Sequence, residues 1–190
     1  LYIAPGNAGT ANLGENIDID ISNFDNIKQV VVEKDINMIV VGPEIPLVNG
    51  IRDYFENDLS LKSLSIIGPD KNGARLEGSK DFAKEFMFKY NIPTASYKTI
   101  SKNNIDEGLN YLEKLKPPFV LKADGLAAGK GVLIIEDILD AKTSLKEMIN
   151  GKFGDASSNV VIEEYLQGIE ASIFIITDGK NYKLLPPSKD

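Results

Sequence analysis

Cysteine and histidine are both absent from this chain of 190 residues. Without cysteine there is no disulfide, no thiolate nucleophile and no thiolate–metal site. Without histidine the commonest general base and the commonest metal ligand are gone. Arginine is nearly absent as well, at two residues, Arg52 and Arg75. Any chemistry here runs on carboxylates, lysines, hydroxyls and backbone amides. No apolar run approaches the ~20 residues that a membrane span requires, and no signal or transit peptide is visible. A net charge of −7 argues against a generic binder of nucleic acid or anionic membrane, although local basic loops can still hold phosphates. A chain with no cysteine fits a reducing cytosol, so a cytoplasmic location is expected. Leu1 falls inside an apolar run, Leu1-Tyr2-Ile3-Ala4, and Asp190 follows Pro-Pro-Ser-Lys with no tail. The chain therefore reads as a fragment of a longer protein.

What is present fits a globular α/β protein: 43% hydrophobic and 26% charged residues, enough to bury a sizeable core. Ile17, Ile19 and Ile21 alternate with Asp18 and Asp20, the period-2 pattern of a half-buried strand. Met38–Val41 and Leu64–Ile67 read as buried strands of a parallel sheet, each ending in Gly-Pro. Ile27, Val30, Val31 and Lys34 suit one helix between them, and Val48, Ile51, Tyr54 and Phe55 suit another. This is a doubly wound pattern, whose ligands bind at the carboxyl ends of the strands. Ser79 caps the clearest helix, with Phe82, Phe86 and Tyr90 as one apolar stripe ended by Ile92-Pro93. After Pro93 the texture changes. A helix carrying Ile105, Leu109, Leu112 and Leu115 leads into a strand at Phe119–Ala123. A glycine-rich loop returns directly into Val132–Ile135, so this half is antiparallel in character. A helix around Leu145, Met148 and Ile149 follows, then strands at Val160–Glu163, Ile173–Ile176 and Tyr182–Leu185.

Three segments carry chemistry. The first is Lys122-Ala123-Asp124-Gly125-Leu126-Ala127-Ala128-Gly129-Lys130-Gly131. A P-loop it is not. Only three residues separate Gly125 from Gly129, Gly131 stands where Ser or Thr should be, and the loop opens onto a strand. A glycine hairpin over ATP phosphates is the better physical analogy. Gly125, Gly129 and Gly131 admit close backbone approach, and Lys122 supplies a point charge. The alternative is a surface hairpin with solvated lysines. The second segment is Gly6-Asn7-Ala8-Gly9-Thr10, after the first strand. Its amides and hydroxyl either cradle a phosphate or ribose or simply make a turn. Glu44, after the third strand, either binds a ribose hydroxyl or begins a helix. The third segment, Val160 to Ser172, runs from an apolar strand into Glu163 and Glu164, with Leu166 and Glu170 beyond. Unpaired backbone beside such a strand can pair with adenine, and a carboxylate a few residues on can accept ribose hydroxyls.

Six stretches in one order resemble the phosphoribosylamine–glycine ligases, ATP-grasp enzymes of purine biosynthesis: PGNAGTA at 5–11, VGPEIPLVNGI at 41–51, LEGSKDFAKEFM at 76–87, IPTASY at 92–97, KADGLAAGKGV at 122–132 and VVIEEYLQGIEAS at 160–172. The resemblance implies a truncated Rossmann-like pre-ATP-grasp domain over 1–96, an ATP-grasp lid subdomain over 97–167 and the start of the central subdomain over 168–190. It implies ATP, glycine and 5-phosphoribosylamine as substrates, joined through glycyl phosphate into glycinamide ribonucleotide. Lys80 and Lys122 are then expected on the ATP phosphates, with Asp124, Gly125, Gly129, Lys130 and Gly131 closing over them. Glu163 and the Glu164–Leu166 backbone take adenine, and Glu170 takes its ribose. Gly6, Asn7, Ala8, Gly9, Thr10 and Glu44 face phosphoribosylamine, and Asp190 approaches glycine, so Lys122 and Asp190 are the residues nearest the chemistry. Magnesium or manganese is implied with ligands beyond Asp190, one more strand is implied ahead of Leu1, and the segment alone is expected to be inactive. Fusion to other purine-pathway enzymes is a further possibility. Ile169 departs from a usual glutamate beside Glu170, Lys189 stands where glutamine is common, and Asn12 to Ile21 matches nothing. Two other readings remain at this point: another ATP-grasp ligase of purine metabolism, and a non-catalytic nucleotide-binding module.

Overall fold

A computed structural model describes every residue except Ala128 and Asp190. In chain order the elements are β1 (Tyr2–Ile3), β2 (Glu15–Asn16), α1 (Phe24–Glu33), β3 (Met38–Val40), α2 (Glu44–Asn49), α3 (Ile51–Glu56), β4 (Ser65–Ile67), α4 (Lys71–Gly78) and α5 (Lys80–Lys89). Then come β5 (Tyr97–Ser101), α6 (Ile105–Leu112), β6 (Phe119–Ala123), β7 (Val132–Ile135), α7 (Ile138–Ile149), β8 (Asn159–Glu164), β9 (Ala171–Ser172), β10 (Ile175–Thr177), β11 (Tyr182–Leu184) and β12 (Ser188–Lys189).

The first part is parallel, as expected. β1 pairs with β2 and β3 with β4, both in parallel. The two pairs share no ladder. Between them lies a cavity of about 700 Å³ walled by apolar side chains, including Ile3 and Ile17 on one side and Ile39 and Val41 on the other. Val31, Ile51 and Phe55 form the buried core here, with Phe24, Ile27 and Ile66 packed against it. Two expectations need correction, and one helix is unforeseen. The strand read from Ile17 to Ile21 ends at Asn16, although the alternation survives as half-buried isoleucines between exposed aspartates. The helix read through Val48 and Phe55 is two helices, because Gly50 between them takes φ +91°. That left-handed geometry ends α2 and restarts the chain as α3. Helix α4 was not expected at all. Asp70 caps it through the Gly73 amide, and Gly78 sits where a Cβ would be 3.0 Å from Val48 on α2.

The second part is an antiparallel four-stranded sheet in the order β5-β8-β6-β7. Phe119, Leu121 and Ala123 of β6 and Val160 and Ile162 of β8 face α6 and α7, where Leu112, Leu145 and Met148 complete a fully buried core. Burying side chains of this size contributes roughly 1.5–3 kcal/mol each. The alternate residues, Val120, Lys122, Val161 and Glu163, therefore point to the opposite face. Strand β5 was missed by sequence, as its Tyr-Lys-Thr-Ile-Ser run buries only Ile100 completely. The strand expected over Ile173–Ile176 starts only at Ile175, as β10, and a separate short strand, β9, precedes it at Ala171–Ser172. β9 pairs with β12, and β10 with β11. No helix among the described residues is long and apolar enough to cross a membrane.

Candidate functional site

Helix α5 starts where expected, with Ser79 accepting from the Phe82 amide. Its aromatic stripe is not its buried face. Phe82 lies under the Arg75 guanidinium at 3.8 Å, and Phe86 stacks on Tyr90 at 4.6 Å, with Tyr90 exposed. The buried residue of α5 is Lys84.

The N-terminus of α5 is fastened to the glycine hairpin between β6 and β7. The Asp124 carboxylate accepts from the Asp81 amide at 2.8 Å and from the Ser79 hydroxyl at 3.0 Å. The Lys80 amide donates to the Asp124 carbonyl at 3.2 Å. Asp124 thus serves as a second cap for α5, a carboxylate at the positive end of a helix. Lys80 Nζ lies 3.4 Å from the Asp124 carbonyl oxygen and 3.3 Å from that of Gly125. Burial lowers its pKa from the ordinary lysine value.

The glycines of the hairpin differ in purpose. A Cβ on Gly125 would fall 3.0 Å from Ala156 Cα, and one on Gly131 would fall 2.7 Å from Ala127 Cβ. Both are required by close approach within the protein. Gly129 has φ +76° with open space around it, so its backbone is the part free to meet a ligand. Lys130 beside it is exposed, and Ala128 lies outside the described residues.

Lys122 precedes the hairpin on β6. The register sets Val120 opposite Glu163 and Lys122 opposite Val161, so Lys122 and Glu163 are diagonal neighbours on one face. Glu163 is only 5% exposed, and its Oε2 lies 2.9 Å from Lys122 Nζ and 3.3 Å from Lys84 Nζ. Lys84 Nζ also donates to Thr94 Oγ1 at 2.8 Å and the Ala95 carbonyl at 3.2 Å, and it lies 5.6 Å from the Tyr97 ring centre. Thr99 on β5 hydrogen-bonds the Asp81 carboxylate, a further tie between the sheet and α5. Sequence reasoning missed Lys84. Its one signal was position, four residues after Lys80 and so on the same side of the helix.

Lys80, Lys122, Asp124, Gly125 and Glu163 are thus brought together with Lys84. The Glu164 carboxylate accepts from the Ser96 amide at 2.9 Å, which lowers its pKa. Leu166 and Glu170 follow the end of β8, both exposed. Glu44 is the exposed first residue of α2. In the loop after β1, Asn7 Oδ1 accepts from the amides of Gly9 and Thr10, and Thr10 Oγ1 accepts from the Asn7 amide. The Thr10 hydrogen has Asn16 Oδ1 at 2.9 Å to donate to. Gly6, at φ +77°, lies where a Cβ would strike the Asn16 side chain. Both polar side chains of this loop are engaged inside it. Ala8 and Gly9 are exposed, and no hydrogen bond among the described residues joins this loop or Glu44 to the lysine cluster. Asp190 lies outside the described residues. Among those described, no group of three or more acidic side chains is gathered as a metal site.

Two family descriptions match the chain end to end: phosphoribosylglycinamide synthetase, N domain, over residues 1–77, and phosphoribosylglycinamide synthetase, ATP-grasp (A) domain, over residues 78–190. The chain is 47% identical over 191 residues to the phosphoribosylamine–glycine ligase of Clostridium acetobutylicum, covering all of this chain and 44% of that protein. It is 43% identical to the bifunctional purine biosynthetic protein ADE1 of Schizosaccharomyces pombe, covering all of this chain and 24% of that one. The chain thus spans less than half the length of these relatives. The crystal structure of phosphoribosylamine–glycine ligase from Thermotoga maritima superposes with a TM-score of 0.76 at 34% identity, over 98% of this chain and 43% of that one. An ADP complex of N5-carboxyaminoimidazole ribonucleotide synthetase, at 15% identity and a TM-score of 0.68 over 96% of this chain and 45% of that one, shares the fold alone. With its parallel N-terminal part and its antiparallel sheet under a glycine hairpin, the chain belongs to the phosphoribosylglycinamide synthetase family.

Proposed function

We propose that the full polypeptide carrying this chain joins glycine to 5-phosphoribosylamine, with ATP converted to ADP and phosphate. A glycine carboxylate oxygen attacks the γ-phosphorus and ADP leaves, giving glycyl phosphate. The ribosylamine nitrogen then attacks the glycyl carbonyl, loses a proton, and phosphate leaves as glycinamide ribonucleotide forms. Neither step needs a histidine base or a covalent enzyme intermediate. The protein contributes positioning, fixed charge and exclusion of water.

The observation that carries this reading is the meeting of two half-buried lysines, Lys80 and Lys122, beside the open backbone at Gly129. A lysine partly out of water interacts more strongly with a phosphate than a solvated one. In this reading Lys80 and Lys122 hold the ATP phosphates, and Asp124, Gly125, Gly129, Lys130 and Gly131 form the cover. Glu163 and the Glu164–Leu166 backbone take adenine, and Glu170 takes the ribose. The loop of Gly6 to Thr10, with Glu44, faces phosphoribosylamine, and Asp190 approaches glycine. Among the described residues no group of three or more acidic side chains is gathered to hold the divalent metal that assists such phosphoryl transfers.

In the same reading a first domain ends at residue 96, just before the antiparallel sheet begins at Tyr97, with a further division at 167. One further strand lying between β1 and β3 would cover the apolar walls of the cavity there. A cytoplasmic location and, by analogy with the bifunctional relative, a fused partner enzyme belong to the same reading. Purified full-length protein should release ADP only with glycine present, and hydroxylamine should trap a glycyl hydroxamate from ATP and glycine alone. ADP release that ignores glycine would overturn the assignment.

A further inference from the structure

Lys84 has no part in the ligand contacts proposed above, yet it is the most thoroughly enclosed cation in the cluster. Its side chain is 7% exposed against 29% for Lys122. An ammonium has three N–H donors. Those of Lys84 have three acceptors within reach: Thr94 Oγ1 at 2.8 Å, the Ala95 carbonyl at 3.2 Å and Glu163 Oε2 at 3.3 Å. With its donors so committed and its head enclosed, Lys84 is a fixed charge.

We propose that Lys84 is a positioning residue for the nucleotide site, offsetting the charge of Glu163 so that the more exposed Lys122 stays available to an anion. This rests on the reading that Lys122 meets an ATP phosphate. The same carboxylate oxygen faces both lysines, with Lys122 the nearer at 2.9 Å. Lys122 and Glu163 alone would form a neutral pair, and a phosphate would have to compete with the carboxylate for its lysine. With Lys84 included the trio carries one net positive charge. Two of its members are anchored in the protein, and the third stands at the mouth of the glycine hairpin. Glu163 then acts as a strut that orients Lys122 without consuming its charge.

The test is a thermodynamic cycle in the full-length protein, with ATP as the titrant and melting temperature recorded for every variant. Lys84→Met should weaken ATP binding by roughly tenfold while leaving kcat at saturating ATP within about threefold, a coupling of ordinary size for charges in one network. In a Lys122→Ala background the same change should alter ATP affinity by less than about twofold, because the lysine through which it acts is gone. Lys84→Arg, which keeps the charge, should retain most of the affinity, and it carries the test if Lys84→Met does not fold. Equal losses on both backgrounds would overturn the inference, as would a Lys84→Arg protein as weak as Lys84→Met or a folded Lys84→Met protein with unchanged affinity. Absence of ATP binding by the unmodified protein would instead remove the nucleotide reading, and this inference with it.

Discussion

Replacing Asp124 by alanine removes the carboxylate that joins the glycine hairpin to the N-terminus of α5. Two hydrogen bonds are lost, one from the Asp81 amide at 2.8 Å and one from the Ser79 hydroxyl at 3.0 Å. Hydrogen bonds to a charged group contribute roughly 1.5–3 kcal/mol each, and a lost helix cap costs about 1 kcal/mol. Asp124 is half-buried and Ser79 keeps its own capping bond to Phe82, so water recovers part of the loss. A net destabilisation of about 2 kcal/mol follows, or about 4–8 °C for a cooperative unfolding unit of roughly 150–250 residues. Thermal unfolding of the full-length variant, followed by circular dichroism, measures it. Asp124→Asn keeps one acceptor oxygen and should recover about half of the loss. The backbone bond from the Lys80 amide to the Asp124 carbonyl survives both changes, so the hairpin should loosen without detaching. A shift below about 2 °C for Asp124→Ala, no more than an ordinary surface change produces, would refute the tether.

Lys122→Ala should raise the ATP requirement and lower turnover, with poor rescue by arginine, whose planar fork does not replace a compact ammonium beside a tight loop; steady-state kinetics in ATP decide it. Gly129→Val should impair ATP binding similarly, since a left-handed backbone at φ +76° costs a side-chain-bearing residue roughly 1–2 kcal/mol, and unchanged ATP kinetics would count against the loop. The double variant Asn7→Ala, Thr10→Val removes the internal bonds of the loop after β1, so phosphoribosylamine dependence should rise at least about tenfold while ATP affinity holds; equal loss of both ligands with a lower melting point would make the loop a turn only. Stability should decline in acid. The Asp178 pKa is pulled down to about 2 by the amides of Asn181 and Lys180, and that of Glu164 is lowered by Ser96. Depressed carboxylates stabilise above their unfolded values of 3.8 and 4.5, and that contribution fades as pH falls through the folded ones. Asp178→Asn and Glu164→Gln should therefore flatten the acid limb of the melting curve.

Local signals were legible where one residue sufficed to make them. Ser79 announces α5 because a serine before an acidic first turn satisfies helix amides, whatever surrounds it. The hairpin from β6 to β7 was legible because its loop offers no helical stretch for a parallel crossover. Tertiary causes were not. The periodicity of Val48, Ile51, Tyr54 and Phe55 runs through Gly50 without interruption, so nothing local reveals the left-handed turn. Helix α4 carries Gly73 and Gly78, which argue against a helix on propensity. Gly78 is tolerated because Val48 approaches where its Cβ would be. For the site, the resemblance supplied the residues but not their partners. It assigned Asp124 to the cover over phosphate, and the structure adds that its carboxylate caps α5. It assigned Asn7 and Thr10 to a substrate, and the structure adds that they also hydrogen-bond one another.

Lys84 shows most sharply why such partners escape a reading by type. Lysine is almost never fully buried unless paired, so its default place is the solvent face of a helix, and on α5 the aromatic residues take the role of core by the same default. The structure exchanges the two. Tyr90 is exposed and Phe82 and Phe86 only half-buried, while Lys84 points to the sheet face that carries Glu163 and Lys122. That exchange depends on β8 lying at the centre of the antiparallel sheet, with Glu163 turned away from the α6–α7 core. It depends too on Thr94 and Ala95 passing close enough to complete the donors of the ammonium. In the proposed reading, the lysines that meet the nucleotide are held partly out of water and still charged. A carboxylate placed among them achieves this, provided that it does not neutralise the lysine facing the ligand. One carboxylate between two lysines, the inner one enclosed and the outer one open, fits both conditions, so Lys84→Arg should be tolerated where Lys84→Met is not.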